Sequence, residues 1–97
     1  MYNTNHKIKK IYTEIPDDER ITSEVMTRFE YTNVVATRAR QLEQGSMAFV
    51  DYSNITDYKK IAELEILTKK CPIDIIRKLN NNYIERWHVN EMIIPKI

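Results

Sequence analysis

Ninety-seven residues with 15 basic and 14 acidic side chains, net +1, make one thin domain, because a chain this short buries only about two-thirds of the surface its unfolded form exposes. A single glycine, Gly45, excludes phosphate-cradling loops and dinucleotide fingerprints, which need several. A single cysteine, Cys71, and two histidines, His6 and His88, exclude an internal disulfide, a cysteine zinc cage and an HExxH site.

Residues 1–24 read as an arm. They are polar, with only Ile8, Ile11, Ile15 and Ile21 as spaced aliphatics, and Pro16 with Asp17, Asp18 and Glu19 interrupts any helix. A flexible or extended segment, ordered against a partner, is the expectation.

The spacing then predicts a helix over 27–44. Thr27 and Glu30 have the spacing of a capping box, and Glu30 suits the positive end of the helix dipole. Tyr31, Val35, Ala39 and Leu42 fall on one face, flanked by Val34 and Ala36. Gly45 follows the last turn, where a residue with positive φ closes the helix.

After an irregular stretch a second helix is predicted over 57–69, with Asp57 as N-cap and Lys69 and Lys70 at its negative end. Tyr58, Ile61, Ala62 and Ile66 form an apolar arc that Leu64 and Leu67 extend around most of the circumference. So broad an arc implies cover from the rest of the chain or from another protein.

Pro72 stops that helix. The β-branched runs from Ile73 to Leu79 and Tyr83 to Val89 flank Asn80, Asn81 and Asn82, which tolerate turn conformations. A small antiparallel sheet over 73–94 is predicted, and the fold class is α+β. The domain is then 25–97, preceded by the arm 1–24.

Chemistry is sparse. Cys71 and His88 could pair as nucleophile and base, but no third group or oxyanion donor accompanies them, and a cysteine before proline reads as a small buried group. Asp17, Asp18 and Glu19 read as solvated charge rather than a metal site, and Lys7, Lys9 and Lys10 beside five carboxylates are a weak phosphate signal. No catalytic residue, metal or cofactor is expected. No apolar run approaches the about 18 residues a membrane span needs, so no membrane partner is expected. No apolar leader is evident, one unpaired cysteine fits an intracellular protein, and Asn54-Ile55-Thr56 reads as a chance glycosylation match.

Arg38, Arg40 and Gln41 project from three sides of the first helix. Either they are solvated surface, or a partner grips them, with arginine supplying bidentate hydrogen bonds.

These residues carry a resemblance. Thr27-Arg28-Phe29-Glu30 and then Ala36-Thr37-Arg38-Ala39-Arg40-Gln41-Leu42 resemble the first helix of the omega-like small subunit of multisubunit RNA polymerases. That family comprises bacterial omega, archaeal subunit K and the sixth subunit of the eukaryotic nuclear enzymes. Thr56-Asp57, Ile61-Ala62 and Glu65-Ile66 continue it. Lys70, Pro72-Ile73, Arg77, Leu79, Glu85, Trp87, Val89 and Glu91 are similar to the eukaryotic and archaeal branch. The match runs from about Thr27 to Ile94, and Ile15 to Ser23 resembles the lead-in of versions carried by large DNA viruses. Met47 and Tyr58 stand where many relatives have proline, Asn82 where a hairpin glycine occurs, and Ile76 where a strand arginine is common. The long acidic tail of eukaryotic forms is reduced here to about 24 balanced residues.

The resemblance implies a non-catalytic subunit of DNA-directed RNA polymerase. It would latch onto the C-terminal region of the largest subunit near the clamp base, touch other subunits, and meet DNA only through the complex. It would reside in the nucleus or, for a viral version, in the cytoplasmic virus factory and virion. Arg38, Arg40, Gln41, Thr37 and Trp87 become candidate partner contacts, and Thr27, Glu30, Gly45, Asp57 and Pro72 candidate structural residues. A free-standing interaction module or transcription regulator on the same fold is the alternative.

Overall fold

The computed structural model describes residues 11–96, in the order β1 (Thr13–Glu14), α1 (Arg28–Glu43), α2 (Tyr58–Leu67), β2 (Asp74–Lys78) and β3 (Tyr83–His88). Two helices and a small sheet make the α+β fold expected from the sequence.

Both helices start on side-chain caps. The Thr27 hydroxyl accepts the Glu30 N–H at 3.0 Å, and the Glu30 carboxylate accepts the Thr27 N–H at 2.9 Å. Asp57 accepts the Lys59 N–H at 2.9 Å. Together these satisfy amides that a helix start otherwise leaves unpaired. Gly45, at φ +103°, closes α1. Its N–H donates to Leu42 and that of Ser46 to Gln41. The second helix ends two residues before the expected Lys69, because Lys69 itself adopts a left-handed conformation at φ 62°. The Lys70 N–H then reaches back to the Glu65 carbonyl at 2.8 Å, a helix closure that usually uses glycine.

The sheet differs from expectation in one respect. Its order is β1-β3-β2, with β2 and β3 antiparallel and β1 parallel to β3. It is therefore mixed, and its third strand comes from the segment expected to be a flexible arm. The physical reason is non-local. A parallel neighbour needs a long crossover, and here that crossover carries both helices. Residues 1–10 of the expected arm, including Lys7, Lys9 and Lys10, lie outside the described residues. Asn81 and Asn82, at φ 60° and 62°, make the turn between β2 and β3. Beyond β3 the chain forms a 3-10 turn (Val89–Glu91), and Ile93 bridges in parallel to Val25.

The core lies where the helices meet one face of the sheet. Val34, Val35 and Leu42 of α1, Ile61, Ala62 and Ile66 of α2, and Ile75, Trp87, Val89 and Met92 bury together. Each such aliphatic contributes roughly 1.5–3 kcal/mol by leaving water.

Candidate partner-docking site

Val34, Arg38 and Leu42 stand four residues apart and so form one row along α1. Arg38 is only 2 % exposed, within the core row. Its partner is Glu65, on the buried face of α2 beside Ile61, Ala62 and Ile66, at 0 % exposure. Arg38 Nη2 donates to Glu65 Oε2 at 3.0 Å and to the Met47 carbonyl at 2.8 Å, and Nε donates to Glu65 Oε1. Nη1 donates to Gln41 Oε1 at 3.1 Å, and Glu65 Oε2 also accepts the Phe49 N–H at 2.8 Å. One ion pair thus ties both helices to the loop that joins them. The hydrogen bonds to Glu65 raise the Arg38 pKa against the opposing effect of burial, so the guanidinium stays charged.

A second network fastens the N-terminal segment. Glu85 on β3 is wholly buried and accepts the Ile21 N–H at 2.7 Å, the Thr22 hydroxyl, and Trp87 Nε1 at 3.0 Å. Burial alone would push this carboxyl up, but hydrogen bonds from Thr22, Ile21 and Trp87 outweigh it and hold Glu85 below the usual carboxylate range. Arg20 lies 3.7 Å over the Trp87 ring and forks onto Glu91 at 2.9 and 3.0 Å. Arg77 bridges β2 to Glu30 of α1 at 2.8 and 2.9 Å and also donates to the Ser23 and Val25 carbonyls. The Arg77 hydrogen bonds hold Glu30 below its ordinary value, with burial opposing and the cap on Thr27 assisting. Glu30 is therefore both helix cap and sheet anchor.

These networks sort the residues that the sequence singles out. Arg38 and Trp87 point inward, with Trp87 only 7 % exposed, so neither presents its polar group to a docking surface. Gln41 is half-buried and already accepts from Arg38. Thr37 and Arg40 remain exposed on α1. Thr27, Glu30, Gly45 and Asp57 sit at helix ends, and Pro72 precedes β2. The row Val34–Arg38–Leu42 is the sequence signal that identifies an inward arginine. Glu65, flanked by Ile61, Ala62 and Ile66, is its counterpart, and the helix reading passed over it.

A nucleophile–base pair of Cys71 and His88 finds no support in the geometry. The Cys71 thiol is buried, which pushes its pKa up to about 11, so it stays protonated at neutral pH. His88 lies on an exposed face and pairs with Asp74. Among the described residues no group of three or more His, Cys, Asp or Glu side chains is placed to hold a metal. No helix there is long and apolar enough to cross a membrane.

Two concavities flank α1. A cleft of about 530 Å³ lies between the helices, floored by Tyr31, Val35, Ala36 and Ala39 and rimmed by Arg28, Lys59 and Glu63. A groove of about 550 Å³ runs between α1 and β2, lined by Phe29, Asn33, Val34 and Thr37 on the helix side and 73–78 on the strand side. Phe29, 75 % exposed, and Met47, 76 % exposed, are with Ile11 and Ile21 the most exposed large apolar side chains among the described residues. The RNA polymerase Rpb6 family profile matches residues 20–73, from Arg20 through both helices to the start of β2. The chain belongs to the RNA polymerase Rpb6 family.

Relatives of the Rpb6 family align over most of this chain. Subunit RPABC2 of DNA-directed RNA polymerases I, II and III from Saccharomyces cerevisiae is 39% identical over 80 residues, covering 82% of this chain and 52% of the yeast protein. The DNA-directed RNA polymerase subunit 6 homolog of African swine fever virus (isolate Warthog/Namibia/Wart80/1980) is 40% identical over 88 residues, covering 84% and 58%. Subunit 6B of polymerases II and V from Arabidopsis thaliana is 34% identical over 85 residues, covering 88% and 59%. The chain spans just over half the length of the relatives it matches. The stretch matched to Rpb6 contains the Arg38–Glu65 pair, both caps and the α1–α2 cleft.

Proposed function

We propose that this chain is a non-catalytic subunit of a DNA-directed RNA polymerase. It promotes assembly and stability by latching onto the C-terminal region of the largest subunit near the clamp base. The observation that carries this reading is the Rpb6 match across Arg20, both helices and the entry to the sheet. The open α1–α2 cleft, with its apolar floor and charged rim, supports it as a seat for a partner segment. Thr37 and Arg40, exposed on α1, remain proposed contacts, and Gln41 contributes from its edge. Residues 25–97 carry the docking surface in this reading, and 1–24 form an arm whose described part is fastened to the sheet. Other polymerase subunits are secondary partners, and DNA is met only through the complex. The site of action is the nucleus or, for a viral enzyme, the virus factory and virion.

The test is isolation of the tagged full chain from its native source. Two very large subunits should follow it in equal amounts. Elution alone near its own mass would remove the subunit reading and favour a free-standing interaction module. Ala36→Glu places a charge on the cleft floor at an exposed helix position and should reduce incorporation about tenfold without unfolding the chain. Wild-type incorporation of that variant would move the interface away from the cleft.

A further inference from the structure

The edge of β2 that faces away from β3 carries unused hydrogen-bonding groups. The Val89 N–H donates to the Ile73 carbonyl and the Leu79 N–H to the Tyr83 carbonyl, at the two ends of the strand. Bonded pairs alternate along an antiparallel ladder, so odd-numbered residues of β2 bond to β3. Asp74, Ile76 and Lys78 therefore turn their N–H and C=O groups outward, and no other described element bonds to them. All three residues are exposed. This edge opens onto the groove against α1. On its opposite wall stand Asn33 and Thr37, one helical turn apart and exposed, their side chains without a hydrogen bond among the described residues. The floor between includes Val34 and Ile75, both buried apolar residues.

A trough with backbone amides on one wall, polar side chains on the other and an apolar floor matches an extended chain. A helix has no backbone donors to offer the edge, whereas a strand supplies them along its length. Charge narrows the occupant further. Lys78 makes no ion pair among the described residues, its ammonium lying 5.4 Å over the Tyr12 ring, while Asp74 is held by His88 and Arg86, and Arg77 by Glu30. The net unmatched charge at the trough is thus positive, at the Lys78 end. The chain's own residues 1–10 do not suit it. They carry Lys7, Lys9 and Lys10, of the same charge as Lys78.

From this we infer that β2 and α1 receive an extended segment of a partner polypeptide by strand addition. The segment has alternate apolar side chains toward Val34 and Ile75 and an acidic residue near Lys78. The inference rests on the reading that the chain is built into an assembly.

Proline separates this from a side-chain effect. Ile76→Pro deletes one outward N–H and no bond to β3, a position where edge strands tolerate proline. Ile76→Ala keeps the N–H. With far-UV circular dichroism confirming the fold, Ile76→Pro should lower incorporation into the native assembly about tenfold and Ile76→Ala far less. Lys78→Glu should lower it as well. Hydrogen exchange of the wild-type full chain, free and within the isolated assembly, gives a second measure that does not depend on the proline variant folding. The Ile76 and Lys78 amides should exchange at least tenfold more slowly when assembled. A chain that recovers the large subunits while these amides exchange as in the free protein overturns strand addition and leaves the subunit reading intact. Protection that depends on the concentration of the free chain, or on residues 1–10, overturns it too, by assigning the trough to a second copy or to the chain itself. A chain that recovers no large subunits instead sinks the subunit reading on which the inference rests.

Discussion

Arg38→Ala should destabilise the fold itself rather than strip a contact from its surface. The substitution removes the hydrogen bonds to Glu65, the Met47 carbonyl and Gln41. Glu65 stays at 0 % exposure with Oε1 unpartnered and Oε2 held only by the Phe49 N–H. Breaking a buried ion pair from one side costs about 3–5 kcal/mol, because the remaining charge is neither solvated nor matched. A domain of this size has a total stability of about 5–10 kcal/mol, so the variant loses from about a third to all of it. At about 4–8 °C per kcal/mol, the melting temperature falls by roughly 12 to 40 °C.

Urea unfolding followed by circular dichroism measures this directly. Glu65→Gln leaves the Arg38 guanidinium without its counter-charge but still bonded to Gln41, the Met47 carbonyl and an amide oxygen that also accepts the Phe49 N–H, so it should cost less than Arg38→Ala. The double variant Arg38→Met/Glu65→Leu should recover most of the loss, as apolar replacement of a buried pair is often neutral. Arg38→Ala with a loss under about 1 kcal/mol would refute the argument, as that range belongs to exposed pairs. So would an Arg38→Ala chain of wild-type stability that fails to join its assembly, for then the arginine acts outward.

Gly45→Ala should destabilise by about 1–2 kcal/mol, measured by urea midpoint, although no atom lies within 4 Å of the added methyl. The cost is backbone strain at φ +103° alone, so a neutral result would place the cap elsewhere. Asn82→Gly should be neutral or slightly stabilising and Asn82→Ala should cost about 1 kcal/mol, because φ 62° suits glycine and asparagine. Acid should destabilise through Glu91, Glu85 and Glu30, whose folded pKa values lie below their unfolded ones, Glu91 at about 2 through its hydrogen bonds from Arg20. Their contribution is complete above the unfolded carboxylate value of about 4.3 and is lost as pH falls through the folded values. Glu91→Gln should flatten the acid limb of a stability–pH curve, and an unchanged limb would exclude Glu91. His88 runs the other way. Its hydrogen bond to Asp74 raises its pKa, so its contribution is present below about 6.5 and fades as pH climbs through the raised value.

Local chemistry was the legible part of the sequence. Thr27 and Glu30 are three residues apart, and their reciprocal bonds need no information from elsewhere in the chain. The two helices and the hairpin follow from periodicities of the same short range. The third strand does not, because Thr13 pairs with Tyr83 across 70 positions and nothing near Thr13 announces it. Burial of Arg38 is hidden for a different reason. Its position between Val34 and Leu42 marks the buried row, but only Glu65, 27 residues away, makes burial of an arginine tolerable. Wherever a charge at a core position has its counter-charge at a core position of the next helix, burial of both is the better expectation.

That pairing also bears on how the proposed docking surface is made. Arg38 and Glu65 hold the carbonyl of Met47 and the amide of Phe49, so the α1–α2 loop is fixed by the same two charges that join the helices. The side chains of Met47 and Phe49, denied a place inside, are left on the surface. At the other end of α1, Arg77 and Glu30 fix the helix against β2 and leave Phe29 outside. Both ion pairs thus hold elements whose apolar side chains face outward, Arg38–Glu65 from the core and Arg77–Glu30 from a part-buried position. The proposed subunit would bury those side chains on assembly. Its stability should therefore rise on joining its partner by mass action, and the loop around Met47 and Phe49 should gain protection from hydrogen exchange together with the cleft between the helices.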